Sequence, residues 1–233
     1  MNSGSHEKSF TITVPALNEE AGLVSTLDQI HEVMKQGFSD YEILVFDDGS
    51  TDRTGAMAEE YAKHHPRVRV IHNPTTRGIG YSYKEGIRLA TKKYYTLIHG
   101  DNEIMGFLMK EMFTAAGRED FVITVIRQDT RSSARQRISK TFTGIVNGMF
   151  GLKVPYYNGP SLIPVKLLKE IPIHTNGHAF MAEIIVRLLK RGYKYHAIEF
   201  DTIVRAHGKT KAFRIKNVLS VSRALLDLRL TCR

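Results

Sequence analysis

Between Ser9 and His99 the chain alternates short apolar, β-branched runs with stretches whose apolar residues recur at helical spacing, and this alternation restricts its fold more than any other feature. The strand-like runs are Ser9 to Val14 (SFTITV), Tyr41 to Phe46 (YEILVF), Val68 to His72 and Tyr95 to His99. Between them, Leu23, Leu27, Ile30 and Met34 mark one helix, and further helices are predicted from about Arg53 to His64 and Tyr81 to Lys92. Strands joined through helices run parallel with right-handed crossovers, and their carboxyl-end loops form one ligand crevice. The predicted class is therefore α/β, a mostly parallel central sheet flanked by helices, with a nucleotide as the default ligand.

Downstream the alternation loosens. A helix near Met105 to Ala116 and a strand Phe121 to Ile126 lead into the polar stretch QDTRSSARQR. Helices are then predicted over Ile138 to Phe150, Pro164 to Lys169 and Ala179 to Lys190, followed by a strand Tyr195 to Phe200 and a basic amphipathic helix Ala212 to Leu230. With no linker long enough to separate two domains, residues 1–211 are expected to form one catalytic unit. Its nucleotide half is about 9–126 and its acceptor half about 127–211, with 212–233 a helix packed on the domain or on a membrane surface.

Charge is unevenly placed. The net charge is +9 over 233 residues, and the segment from Arg205 to Arg233 alone holds eight basic residues against Asp227. A second basic stretch, Arg127 to Lys153, holds six against Asp129. Two basic surfaces on a slightly acidic body point to an anionic partner met at particular places. The lone Cys232 excludes an internal disulfide or a Cys-rich zinc site and suits the cytoplasm, and no apolar run reaches membrane-spanning length or reads as a secretory signal.

Three strands run straight into polar loops: VPALNEE (Val14 to Glu20), FDDGSTD (Phe46 to Asp52) and HGDNE (His99 to Glu103). Carboxylates gathered at one sheet edge repel unless a cation or donors fill the space, so their shared location asks for a ligand. Asp47 and Asp48 are suited to accept from a base, Glu19 from ribose hydroxyls, and Asp101 with Glu103 to hold Mg²⁺ or Mn²⁺ on a diphosphate. Each loop alone also has an ordinary reading: Thr51 or Asp52 as a helix N-cap, Asp-Gly-Ser as a turn, His99 as a half-buried imidazole.

Taken together, the loops resemble those of inverting glycosyltransferases with the GT-A (Rossmann-like) fold, glycosyltransferase family 2, and within them the polyprenyl-phosphate (dolichol-phosphate mannosyltransferase) group. Pro15, Ala16, Asn18 and Glu19 match its first-strand P-A-x-N-E-E loop, and FDDGSTDRT its D-D-G-S-x-D-x-T loop. Arg77, Gly78, Gly80 and Gly86 resemble its G-x-G and following helix glycine. Arg135 with Ser139 resembles an R-x-x-x-S pair, and Arg205, Gly208, Thr210 and Lys211 resemble a closing R-x-x-G-x-S-K element. HGDNE stands where the family keeps D-x-D-x-Q: either His99 and Glu103 replace its first and last members, or the register is Asp101-Asn102-Glu103, and Asp101 is a ligand both ways.

The resemblance implies a UDP- or GDP-linked sugar bound by Pro15, Ala16, Asn18, Glu19, Asp47, Asp48, Arg77, Gly78 and Asp101. It implies a divalent metal on Asp101 and Glu103, and a polyprenyl phosphate acceptor. That acceptor is already an anion at neutral pH and needs no general base, only a cationic cradle, for which Arg131, Arg135, Ser139, Arg205 and Lys211 are the candidates. Asp101, Arg135, Arg205 and Lys211 are the catalytic set so implied. Glu183 and Arg187 stand at i and i+4 and are expected to pair with each other rather than supply a base. Membrane contact would be peripheral, at the cytoplasmic face. The alternatives are a hydroxyl acceptor at the same donor site and a non-catalytic basic binding protein. Nucleic acid is not expected, since no motif for it is present.

Overall fold

The computed structural model describes residues 8–101, 106–177, 179–202 and 215–232, with the backbone alone for 215–220. Its sheet has seven strands in the order β3-β2-β1-β4-β6-β5-β7. They are β1 (Ser9–Ala16), β2 (Asp40–Asp47), β3 (Val68–His72), β4 (Tyr94–Leu97), β5 (Phe121–Gln128), β6 (Ser161–Pro164) and β7 (Tyr195–Asp201). All run parallel except β6, which pairs antiparallel with both β4 and β5. The helices are α1 (Leu23–Lys35), α2 (Thr54–His64), α3 (Ile79–Leu89), α4 (Gly106–Thr114), α5 (Ser133–Phe150), α6 (Val165–Glu170), α7 (Phe180–Lys190) and α8 (Ile215–Thr231). The expected mixed α/β architecture, a mostly parallel sheet flanked by helices, is the observed one.

Helices cover both sheet faces, giving two cores. On one, Phe10, Ile12 and Val14 meet Leu23, Leu27, Ile30 and Met34 of α1 and Met109, Met112 and Phe113 of α4. The other unites Tyr83 and Ile87 of α3, Val146 and Phe150 of α5, Ile184 and Leu188 of α7, and Leu225 and Leu228 of α8. Burial on both faces explains why the strands read as unbroken apolar runs. One face of α8 is thus packed on the domain, and Arg229 donates to the Met149 carbonyl at 2.6 Å.

The structure departs from the sequence reading at two elements. β6 was not expected: four residues between Gly159-Pro160 and a helix are too few to show a period. The strand lies against β5 because Gly159 has no Cβ. A Cβ there would stand 2.6 Å from the Thr124 carbonyl oxygen, and Thr124 donates to Pro160 O through its backbone N–H (3.2 Å) and hydroxyl (2.9 Å). The sheet is therefore continuous, with a strand from the 127–211 half inserted between β4 and β5. Second, α5 begins at Ser133 rather than near Ile138, so the polar Arg-rich stretch enters the helix. The helix ends on Gly151 in the left-handed region (φ 64°), whose N–H reaches Asn147 O. No helix among the described residues is long and apolar enough to cross a membrane.

Candidate active site

Parallel register brings the three polar loops to one edge. Ala16 lies opposite Asp47 on β2, and Thr13 opposite Leu97 on β4, so the chain leaves β1, β2 and β4 side by side. Backbone bonds continue past the strands: Asp48 N–H to Ala16 O (2.9 Å), Ile98 N–H to Thr13 O (2.9 Å) and Gly100 N–H to Pro15 O (3.3 Å).

The first two loops are laced together. Asn18, the one described non-glycine residue with positive φ (57°), turns so that its Oδ1 accepts the Thr51 N–H at 2.8 Å while its own N–H reaches Ser50 Oγ at 3.0 Å. Asparagine tolerates this conformation better than most residues. The Glu19 N–H donates to Thr54 Oγ1 (2.8 Å), and Glu20 Oε2 accepts the Arg53 N–H (3.1 Å). Asp52 Oδ1 takes the Thr54 N–H at 2.9 Å, a turn just ahead of α2, whose N-cap is Arg53 rather than the expected Thr51 or Asp52. The third loop closes on the first at Gly22: a Cβ there would stand 3.0 Å from Gly100 O and 3.2 Å from Asp101 Cα.

Asp48 is buried, and its carboxylate is an organiser. Oδ1 accepts from Asn73 Nδ2 (2.8 Å) and the Arg77 N–H (2.9 Å), and Oδ2 from the Gly78 N–H (2.9 Å). These bonds fix the turn into α3, where Gly78 has φ 89°. Gly80 N–H donates to Asn176 O at 3.1 Å, and a Cβ on Gly80 would stand 2.7 Å from that residue's backbone. The Arg77 guanidinium carbon stacks 3.7 Å from the Tyr81 ring centroid, with Nη1 donating to the Tyr81 hydroxyl at 2.8 Å.

Asp47 faces the other way. Oδ1 accepts the Ser50 N–H at 3.0 Å, and Oδ2 meets His72 Nδ1 at 2.9 Å, while His72 Nε2 meets Glu59 Oε1 at 2.9 Å. Burial pushes the Asp47 carboxyl up, but the Ser50 and His72 bonds outweigh it and leave it below the usual range. The bonds to Asp47 and then Glu59 raise His72 above the ordinary imidazole value. His72 and Asn73 escaped the sequence reading. The available signal was topological: they follow β3, which is parallel to β2 and ends at the same edge.

Of the expected metal pair, Asp101 is half-buried at this edge, and Glu103 lies outside the described residues, as do Arg205 and Lys211. No cluster of three or more His, Cys, Asp or Glu suited to a metal occurs among the described residues. A hard divalent ion held by one or two carboxylates and substrate phosphates does not require such a cluster, and Asp101 would supply one such carboxylate at this edge.

Of the residues expected to hold an acceptor phosphate, Arg135 and Ser139 sit one turn apart on the half-buried face of α5, as their spacing implies. Arg131 is differently placed. Nε and Nη2 fork onto Asp129, each at 2.7 Å, so its guanidinium is committed within the loop. Glu183 pairs with Arg187, as anticipated, through Nε at 3.1 Å and Nη2 at 3.0 Å. It also accepts the His174 and Thr175 N–H groups, so it anchors the loop that carries Asn176 to Gly80. Burial pushes this carboxyl up, but the Thr175 and His174 N–H groups and Arg187 hold it below its usual range.

The structure resembles that of glucosyl-3-phosphoglycerate synthase from Mycobacterium tuberculosis, solved with Mn²⁺, UDP-glucose and phosphoglyceric acid. The TM-score is 0.72 at 19% identity, over 96% of this chain and 79% of that one. In sequence, the chain is 25% identical over 216 residues to the glycosyltransferase YkcC of Bacillus subtilis (strain 168), 91% of this chain and 66% of that protein. It is 34% identical over 88 residues to the polyprenol monophosphomannose synthase of Mycolicibacterium smegmatis, 37% of this chain and 32% of that protein. The chain thus spans less than two thirds of the length of these two sequence relatives. The model of the family described as Glycosyl transferase family 2 matches residues 11–185, most of the chain, and the protein belongs to that family.

Proposed function

We propose that the protein is an inverting, metal-dependent glycosyltransferase that moves a sugar from a nucleotide diphosphate to a polyprenyl phosphate at a membrane face. The observation that carries this reading is the convergence of the β1, β2 and β4 loops, with Asp48 organising the Arg77-Gly78 turn and Gly22 seating Asp101. Support for the donor comes from the similar synthase, whose structure holds UDP-glucose and Mn²⁺. Support for the acceptor comes from the polyprenol monophosphomannose synthase relative.

In this reading the nucleotide lies along the edge from Asn18 and Glu19 to Asp47, Asp48, Arg77 and Gly78. Asp48 acts mainly through the turn it fixes, since both its oxygens already hold protein donors. A divalent ion on Asp101 and Glu103 would neutralise charge on the departing diphosphate. Arg135 and Ser139, with Arg205 and Lys211, hold the acceptor phosphate behind the anomeric carbon. The bond from that carbon to the diphosphate breaks with its electron pair as a phosphate oxygen forms the new bond on the opposite face, inverting the centre. The acceptor is anionic, so no proton need be removed. This fits the engagement of Glu183, which is paired, buried and held as a stable carboxylate.

A second reading, a phosphate-bearing hydroxyl acceptor, has one observation in its favour: the similar synthase was solved with phosphoglyceric acid. The test is nucleotide diphosphate release from UDP- and GDP-sugars with Mg²⁺ or Mn²⁺ and a short polyprenyl phosphate, 3-phosphoglycerate or no acceptor. Release that requires the lipid phosphate is expected. Release that requires phosphoglycerate would replace the acceptor, and an Asp101→Ala variant of full activity would overturn the metal assignment.

A further inference from the structure

Large apolar side chains exposed among the described residues are few, and four of the five lie on two helices in contact: Ile138 (50%) and Ile145 (49%) on α5, Leu226 (62%) and Leu230 (76%) on α8. The bond from Arg229 to the Met149 carbonyl fixes where these helices meet. Ile145 lies one turn before Met149 and Ile138 two turns before Ile145. Leu226 lies one turn before both Arg229 and Leu230. The four side chains therefore flank the solvent side of one seam.

Charge on the same faces selects the occupant. Arg137 on α5 and Arg223 and Arg229 on α8 are exposed beside them, with Asp227 the one exposed acid on the described part of α8. A second copy of the chain would bring this cationic patch against itself. An anionic lipid surface complements it, because long basic side chains reach phosphates while leucine and isoleucine enter the acyl boundary. We propose that the α5–α8 seam is a docking surface for an anionic lipid bilayer, through Ile138, Ile145, Leu226 and Leu230 flanked by Arg137 and Arg223. On the acceptor reading above, the inward face of the same helix carries Arg135 and Ser139, so docking would bring the acceptor side close to the lipid.

The test is flotation of the full chain with vesicles of phosphatidylcholine alone or mixed with phosphatidylglycerol, none containing polyprenyl phosphate. Success or failure is therefore independent of the transfer assay. Binding confined to the anionic vesicles is expected. Removing two charges (Arg137→Gln, Arg223→Gln) should weaken it about thirtyfold. Leu226→Ser with Leu230→Ser should weaken it at least about tenfold. Both leucines are mostly exposed, so the melting temperature should hold, and Leu230→Ser alone serves as the milder variant. Equal vesicle binding by the wild type and all three variants would overturn the proposal. So would a wild-type chain that ignores anionic vesicles, whether it sediments as a monomer or as a dimer dispersed by Leu226→Ser, the latter assigning the seam to a second copy.

Discussion

At the residue scale the site is held by carboxylates that are already bonded to protein, and this determines what their loss does. Asp48 accepts three donors, two of them backbone N–H groups at the start of α3. In Asp48→Asn a side-chain NH₂ must face either the Gly78 N–H or the donors on the other oxygen. The expected cost is ~1–3 kcal/mol, read as a lower thermal midpoint, with nucleotide affinity in calorimetry falling more than stability. Unchanged affinity would separate the turn from the donor site. The Asp47–His72 bond makes a different prediction, in pH. His72 has its pKa raised from 6.5, so its stabilisation is complete below that value and is lost as pH rises through the folded value. Asp47 has its pKa lowered from 3.8, so its share is present above that value and is lost as pH falls through the folded one. The pair contributes most between those limits, by at most about 1 kcal/mol because the imidazole is half exposed. In His72→Gln the denaturation midpoint should fall at mildly acidic pH and match the wild type at pH 9. An equal deficit at both would refute the pairing.

At the element scale the pair Glu183–Arg187 shows what spacing can and cannot convey. An i, i+4 pair on a solvated helix contributes a few tenths of a kcal/mol. Here both side chains are nearly inaccessible, 4% and 6% exposed, and removing one partner strands a buried charge. Glu183→Gln is expected to cost ~3–5 kcal/mol, and adding Arg187→Met should restore much of it, as a double-mutant cycle by urea denaturation would show. Equal costs in the single and double variants would mean that the lost His174 and Thr175 bonds dominate. Strands β1 to β3 and helices α1 to α3 were legible because each carries its own signal in its own residues, an apolar β-branched run or a helical spacing. β6 and the first turn of α5 were not, because each is specified by a neighbour: β6 by the Thr124 contact that Gly159 admits, and α5 by the preceding loop, whose Asp129 and Arg131 carbonyls accept from Gln136 Nε2. The three polar loops were legible in position but not in the contacts of each side chain. Nothing in FDDGSTD says that Asp47 turns to His72 while Asp48 turns to Arg77 and Gly78, a division set by β3 and the chain that follows it.

At the scale of the whole molecule those bonds form a path across it. Asp48 fixes Gly78, and Gly80 rests on Asn176. Glu183 holds the backbone of His174 and Thr175, and its partner Arg187 donates to Thr231 at the end of α8 at 2.9 Å. A ligand at the sheet edge should therefore tighten chain far from it. A ligand at a hundred times its dissociation constant stabilises the native state by ~2.7 kcal/mol. If the path carries that effect, amide exchange on adding nucleotide sugar with Mn²⁺ should slow over 73–80, as direct binding requires, and also over 174–177 and the last turn of α8. Glu183→Gln should keep the first protection and lose the other two, since the bonds that join Asn176 to α7 run through that carboxylate. Protection confined to 73–80 in the wild type would show that the donor edge and the carboxyl-terminal helix respond independently, and that the chain of contacts between them is packing without coupling.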